Sequence, residues 1–567
     1  MNRPWLLPEQ DYPAVAALAG TLGISPVTAA LLLQRQVRTA EDAARFLRPS
    51  LRHLFDPFLM ADMAAAVERI TLARARQEKV LVFGDYDVDG ISAAAILLRG
   101  LRRFGIESVD VDMPDRLIEG FGLAPKHVEQ AAARGYQLII TVDNGISALH
   151  AARRARELGV SLILTDHHKP EPELPEAVAI INPLREPPKH PARGLSGAGV
   201  AFKLCTALNG TPNDLDLAAL GTIADIVPLR GENRIIAALG LRHMQQHRRI
   251  GLRVLCRVAE RPIETVSSED IGYMLAPRLN AAGRLEDARA ALHLLLCEDE
   301  TEAARLAREL DQTNRQRQEI EQAVFNDAVA EIDAWVQPDR CSIVVARAGW
   351  HPGVIGIVAS RLQQRYQRPV FVLSLDESGM ARGSGRSGTN FDLMAALASC
   401  ADLFEKYGGH RAAAGLTMRA ERVTVFRERF EEAARAQFGG MPRPVPLQID
   451  AISALSLLNP GLIAEINQLR PFGEGNRQPV LAAFGVRIVP GSVKVFKDDH
   501  IALRFRQERA VCSAVWFRGA ERFWQGNFSA LVDVAFMPES NSFPGDTPVR
   551  MKVVDIRPAE AVENPEA

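Results

Sequence analysis

The chain is short of every feature that would mark a special class of protein. It has no excess charge of one sign: Lys+Arg number 67 and Asp+Glu 69, a formal charge of −2. A near-neutral total does not announce a polyanion binder, so any basic surface must come from local segregation. Its six cysteines (Cys205, Cys256, Cys297, Cys341, Cys400, Cys512) form no Cys-x-x-Cys pair. That argues against a disulfide framework or a thiolate zinc site and for buried cytosolic thiols. No apolar run approaches the roughly 18 residues of a membrane span. The opening segment MNRPWLLPEQDYPAVAALAG carries Glu9 and Asp11 where a signal peptide would need its apolar core. There is no fixed-period repeat and no low-complexity tract. A soluble, cytoplasmic protein without membrane contact is expected.

With 47% apolar and 24% charged residues over 567 positions, the composition is that of a globular chain. At roughly 150 residues per domain, about four domains are expected. Residues 1–55 read as an N-terminal helical segment, with Ala/Leu-rich pieces at 14–22, 29–34 and 40–47, to which only a packing role falls. From about residue 56 to 250, short apolar runs (VLVF at 80–83, QLIITV at 137–142, VSLILT at 160–165, AVAIIN at 177–182) alternate with amphipathic helices. This is the pattern of βαβ units and a buried parallel sheet, whose ligands bind beyond the carboxyl ends of the strands. Residues 251–335 read as a helical connector, and 301–335, free of Gly and Pro, as one long helix between lobes. Residues 336–440 repeat an α/β pattern with glycine-rich loops, and GGMPRPVP at 439–446 reads as a linker. Residues 441–560 turn β-rich: five runs (VLAAFGVRIV, SVKVFK, HIALRF, AVCSAVWF, FSALVDVAF) suit a small barrel such as an OB-fold.

The strand ends are acidic. GDYDVDG at 84–90 places Asp85, Asp87 and Asp89 between a buried strand and a helix. Three carboxylates this close repel one another unless a cation neutralises them, and hard cations such as Mg²⁺ and Mn²⁺ take such ligands. An EF-hand loop would need a Glu at its twelfth position, where Ile96 stands, and would lie between two helices. TVDNGIS (141–147) adds Asp143, TDHHKP (165–170) adds Asp166, His167 and His168, and GTIADIVPL (221–229) adds Asp225 in an apolar setting. Each addition is weak alone, but successive strand ends of one sheet converge on one edge. Mixed carboxylate and imidazole donors suit Mn²⁺ or Mg²⁺ better than structural zinc, and there are enough for two ions.

These residues resemble the ordered motifs of the DHH phosphoesterases: Asp87-x-Asp89-Gly, Asp143, Asp166-His167-His168 and Asp225. GGH at 408–410, followed by RAAAGLTM, resembles the DHHA1 domain that accompanies them. From about residue 50 to 556 the chain is similar to the bacterial single-strand-specific 5′→3′ exonucleases of that superfamily. The resemblance implies a DHH lobe, a DHHA1 lobe and an OB-like barrel. It implies hydrolysis of single-stranded DNA to 5′-mononucleotides in recombination, repair and mismatch repair, by a monomer working beside a single-strand-binding protein and a RecQ-type helicase. It makes Asp87, Asp89, Asp143, His167 and Asp225 metal ligands, with Asp143 bridging, Asp85 and His168 further candidates, and Asp166 the residue that orients a histidine. His410 becomes the candidate for contacting the scissile phosphate. Arg116, Arg278, Arg284, Arg382, Ser384 and Arg386 become candidates for a phosphate pocket, and His351 for a substrate contact.

Between residues 480 and 530 there are 8 Lys/Arg against 4 Asp/Glu, interleaved with Phe496, Phe505, Trp516, Phe517 and Trp524. Basic grooves with aromatic platforms bind single strands. Along HIALRF the period of two puts Ile501, Leu503 and Phe505 on one face and Arg504 and Arg506 on the other. Phe505 therefore belongs to the core and the two arginines to the DNA contacts. Two other readings stand beside this one: a DHH enzyme acting on pyrophosphate, cyclic dinucleotides or very short oligonucleotides, and a catalytically silent DNA-binding scaffold. The barrel argues against the first and the intact acidic set against the second.

Overall fold

In the computed structural model, residues 3–559 are described, apart from 10, 115–121, 247–248, 286–287, 336–338, 498, 527, 529–530 and 542–545. The DHH-like lobe is built on a five-stranded parallel sheet. Its order is Val109–Asp112, Val80–Phe83, Leu138–Val142, Ser161–Thr165, Ala179–Ile181. Alternate residues of these strands enter two separate cores. Val80, Val82, Ile140 and Ile163 join the larger one, and Leu81, Phe83, Ile139, Leu162 and Leu164 the smaller. Both faces are dry along the other four strands, which is why those read as unbroken apolar runs, whereas the edge strand Val109–Asp112 alternates and exposes Asp110.

The connector helix Glu300–Trp335 is continuous and about 54 Å long at 1.5 Å per residue. Its first turns (Ala303, Leu306, Ala307, Leu310) sit in the larger DHH core, and its last (Val324, Ala328, Ile332) in a core of the second lobe. Its middle is polar and tied on both sides: Asp311 pairs with Arg278 at 2.9 Å, and Glu321 with Arg317 at 2.6 Å and Arg361 at 3.0 Å. The second lobe holds a mixed sheet ordered Phe404–Gly409, Ala413–Arg419, Met380–Arg386, Val370–Leu375, Ile343–Ala348. The segment 381–387 (ARGSGRS), which carries Arg382, Ser384 and Arg386, is therefore mostly strand. A Cβ on Gly385 would lie 2.4 Å from the Phe371 ring, so that glycine serves close packing across the sheet and not a turn.

The C-terminal barrel closes through Leu481–Ile488, Val532–Ser540, Val549–Pro558, Ala510–Trp516 and His500–Gln507, the last pairing back to the first at Arg487↔Arg506. SVKVFK is not one of the five: Lys494–Phe496 pairs with His500–Gln507 alone. The fifth barrel strand is Val549–Pro558, which the sequence reading passed over. The helices Tyr12–Leu22, Pro26–Gln34 and Ala40–Leu47 share one core with the barrel, and Trp5–Leu6 pairs in parallel with Leu447–Gln448. Arg234 of the DHH lobe, buried, donates to the carbonyls of Phe46, Leu469, Gln468 and Arg470, joining N-terminal segment, lobe and barrel at one guanidinium.

Candidate metal centre and phosphate groove

The loop after Val80–Phe83 ends in Asp87, which caps the helix Val88–Phe104 by accepting from the Gly90 N–H at 3.0 Å. Asp89, in that helix's first turn, is buried. It accepts from the N–H groups of Gly197 (2.6 Å) and Ala198 (2.9 Å) at the start of the helix Gly197–Asn209. A helix N-terminus is a natural seat for a carboxylate. Asp143 follows Leu138–Val142 with φ +63°. Asp166 follows Ser161–Thr165 and accepts from the N–H groups of Ile146, His167 and His168; its Oδ1 lies 2.7 Å from His168 Nδ1. It thus orients His168 and not His167. Asp225 ends the helix Leu215–Ala224.

His167 Nε2 is the hub. It lies 3.1 Å from Asp143 Oδ1, 3.5 Å from Asp225 Oδ2 and 3.8 Å from Asp89 Oδ2. Three sets of donors close enough to share an ion result: Asp89/His167/Asp225, Asp85/Asp87/Asp143 and Asp143/His167/His168. Burial, then the neighbouring carboxylates, push Asp89 up to about 7, Asp225 up to about 8 and Asp143 well above the usual range. Burial, then the charge of His168, lowers His167 to about 4, which leaves its ring neutral. Burial opposes the charge on His168, but Asp166 outweighs it and carries that ring up to about 9. Asp143 Oδ1 and His167 Nε2 are buried and satisfy no hydrogen bond among the described residues. Orphaned buried donors beside mutually repelling carboxylates are what a divalent cation resolves, and oxygen with imidazole is the donor set Mn²⁺ and Mg²⁺ accept.

Three glycines give this cluster its room. A Cβ on Gly90 would meet Asp85 at 2.7 Å, on Gly197 the Asp143 carboxylate at 2.6 Å, and on Gly221 Asp89 Oδ1 at 2.5 Å. Sequence reasoning missed Gly197 and Gly221. The SGAG run at 196–199, opening a helix, was the available signal. It also missed Asn280, whose Oδ1 accepts from the Val88 N–H at 3.0 Å and ties the acidic loop to the helix Ala276–Leu285.

One turn beyond Asn280, Arg284 enters a groove between the lobes. Arg382, Ser384 and Arg386 line it from the strand Met380–Arg386, together with Gly353 and Gly356 at the start of the helix Ile355–Tyr366. Arg284 donates to the Gly353 carbonyl at 3.2 Å, and Arg386 to Ser384 Oγ at 3.1 Å. His351 Nδ1 accepts from the Gly353 N–H at 3.0 Å and so braces the groove's wall. Arg278 is not there: it is engaged with Asp311 and the Met274 carbonyl, and it braces the connector. Arg116 lies outside the described residues. His410 is exposed in the turn between Phe404–Gly409 and Ala413–Arg419, outside all three donor sets. On the barrel Phe505 is fully buried and Arg504 and Arg506 are exposed, Arg504 lying 3.2 Å from Asp546; Phe517 and Trp524 are exposed, whereas Trp516 is core.

Family models agree with these three parts: the DHH family N-terminal domain matches residues 79–224, the DHHA1 domain 340–436 and the RecJ OB domain 449–555. The single-stranded-DNA-specific exonuclease RecJ of Salmonella typhimurium is 33% identical over 94% of this chain and 96% of its own length. The chain belongs to the RecJ family. The RecJ of Bacillus subtilis is 41% identical over 91% of this chain, which spans 66% of that protein's length. The crystal structure of Thermus thermophilus RecJ with Mn²⁺ superimposes with a TM-score of 0.84 at 30% identity, over 98% of this chain and 80% of that one. The same protein with Mg²⁺ gives 0.78 at 28% identity, over 98% and 79%. The donor set here fits the same two ions.

Proposed function

We propose that this chain is a metal-dependent exonuclease that degrades single-stranded DNA from its 5′ end and releases 5′-mononucleotides. The observation that carries the reading is the pairing of a buried carboxylate–imidazole cluster with an arginine-lined groove one helical turn from the residue that braces it. Asp85, Asp87, Asp89, Asp143, His167 and Asp225 would hold Mn²⁺ or Mg²⁺, with His168 adjoining. The division of donors supports two ions, with Asp143 shared between them. Bound there, the ions supply Lewis acidity toward the phosphate and toward water. The rest is the work of the chain's own groups. Backbone N–H groups of Gly197 and Ala198 fix Asp89, and Asp166 fixes His168. Arg284, Arg382, Ser384 and Arg386 receive a phosphate, since guanidinium forks and a helix start match its oxygens. A groove that anchors an end and lies beside the hydrolytic cluster accounts for the requirement for an end. Arg504 and Arg506 give the trailing strand a basic track. His410, exposed in its turn, is proposed to contact the scissile phosphate.

Work in recombination, repair and mismatch repair, beside a single-strand-binding protein and a RecQ-type helicase, accords with relatives named single-strand-specific exonucleases. The test is digestion of a long single-stranded oligonucleotide labelled separately at each end, with Mn²⁺, Mg²⁺ or EDTA. Rapid metal-dependent release of the 5′ label as mononucleotide is expected, with the 3′-labelled strand shortening gradually. Early release of the 3′ label would overturn the polarity, and turnover of dinucleotides or pyrophosphate alone would overturn the DNA assignment.

A further inference from the structure

The residue after Asp225, Ile226, takes the left-handed conformation with φ +60°. It stands just past the last turn of the helix Leu215–Ala224, a position that glycine or asparagine ordinarily fills, because branching at Cβ crowds the backbone there. Among the described residues eleven non-glycine residues have positive φ, and Ile226 is the one β-branched residue in that group. Its N–H donates to the Ile223 carbonyl at 3.3 Å, but its side chain packs little against the chain, the residue being 68% exposed. Strained residues persist where the surroundings demand them, and they cluster at functional sites. Ile226 also stands beside the reacting centre: Asp225 Oδ2 is 3.5 Å from His167 Nε2, and adjacent Cα atoms are 3.8 Å apart.

A DNA strand at this centre offers its phosphates to the cluster and the arginines. Its remaining surfaces are the faces of sugar and base, and these are what an exposed aliphatic side chain can cover. We infer that Ile226 contacts the nucleoside next to the scissile phosphate and so fixes how the strand lies over the metal centre. The inference rests on the exonuclease reading. It concerns strand placement and leaves the ligand set untouched. Ile226→Gly removes both the contact and the strain, while Ile226→Leu keeps an aliphatic contact without the branch at Cβ.

The experiment compares the full-length wild type and both variants by thermal melting, Mn²⁺ titration of activity, and steady-state hydrolysis of normal and abasic single strands. For Ile226→Gly, KM should rise about tenfold, the worth of one partly buried aliphatic contact. Its kcat and Mn²⁺ midpoint should stay at or near wild type, its melting temperature should hold or rise as the strain is released, and Ile226→Leu should recover the wild-type KM. A KM effect that persists on abasic strands places the contact on the sugar, and one that vanishes there places it on the base. An unchanged KM in Ile226→Gly overturns the inference. So does a Mn²⁺ midpoint that moves with KM, because the residue would then act through Asp225. A wild type without hydrolysis would refute the exonuclease reading, and the inference with it.

Discussion

Substitution Gly197→Ala reaches the metal centre without altering a single ligand. The added methyl would lie 2.6 Å from both Cβ and Oδ1 of Asp143 and 2.7 Å from its Cγ. Ordinary contact needs about 3.5–4.0 Å, so something must move by about 1 Å. Asp143 is poorly placed to yield, because its backbone is held at φ +63° at a strand end. The start of the helix Gly197–Asn209 is held too, by the 2.6 Å bond from the Gly197 N–H to Asp89 Oδ2. Whichever gives, one carboxylate leaves its place. Overpacking of this kind costs about 1–3 kcal/mol, and disturbing the groups that position a ligand costs about ten- to a hundredfold in metal affinity. Melting in EDTA and the Mn²⁺ dependence of hydrolysis measure the two effects separately. Gly20→Ala, with nothing within 4 Å of the new methyl, serves as the control. A Gly197→Ala protein with the wild-type melting temperature and Mn²⁺ midpoint would refute the argument.

In chelator, Asp89 (about 7), Asp225 (about 8) and His168 (about 9) bind protons more tightly in the folded chain than in the unfolded one. The stability they contribute is fully present only below the unfolded values, 3.8 for the aspartates and 6.5 for His168, and is lost as pH rises through the folded ones; the melting temperature should fall from about pH 6 to about pH 9, and excess Mn²⁺ should flatten the slope. Arg386→Ala should lose about 1.5–3 kcal/mol of preference for a 5′-phosphate over a 5′-hydroxyl end, the worth of a hydrogen bond to a charged group, as read by competition between the two substrates. Replacing Arg504 and Arg506 together with alanine should reduce the slope of log affinity against log salt by about 1.4, at about 0.7 per phosphate of a single strand; an unchanged slope would remove them from the strand's path. Arg278→Met should lower stability by about 1–3 kcal/mol and leave KM alone; a raised KM would move Arg278 into the groove.

What could be read without coordinates was what depends on neighbours in sequence. Four of the five parallel strands were legible because burial on both faces makes them apolar; the edge strand Val109–Asp112 alternates Val and Asp. Most of the acidic cluster was legible because Asp85, Asp87, Asp89, Asp143 and Asp166 lie in or just past the loops that follow strands; Asp225, at the end of the helix Leu215–Ala224, was not placed that way. Val549–Pro558 did carry a signal, since Val549, Met551 and Val553 alternate with Arg550 and Lys552. The charged residues masked a strand with one face in the barrel core. That residues 381–386 form a strand was not legible, because Gly385 answers the Phe371 ring on the adjacent strand and no local pattern shows it. Arg278 misled because its partner, Asp311, lies on another helix. The roles of Gly197 and Gly221 exist only as approaches between elements far apart in sequence, and no local pattern encodes them.

The core shared by the first helices and the closing barrel has a consequence for biosynthesis. Leu18, Leu31, Leu32 and Ala43 leave the ribosome long before their partners Leu462, Phe505, Phe536 and Met551. At about 5–20 residues per second, that interval is about 20–110 s, during which greasy helices wait without their cover. The nascent chain is therefore at its stickiest at its oldest end, and slowed translation should cost yield more than it would for a chain whose domains mature in order. Trimming 447–556 would recreate that exposed state permanently, which is why point substitutions are the cleaner probe of the barrel.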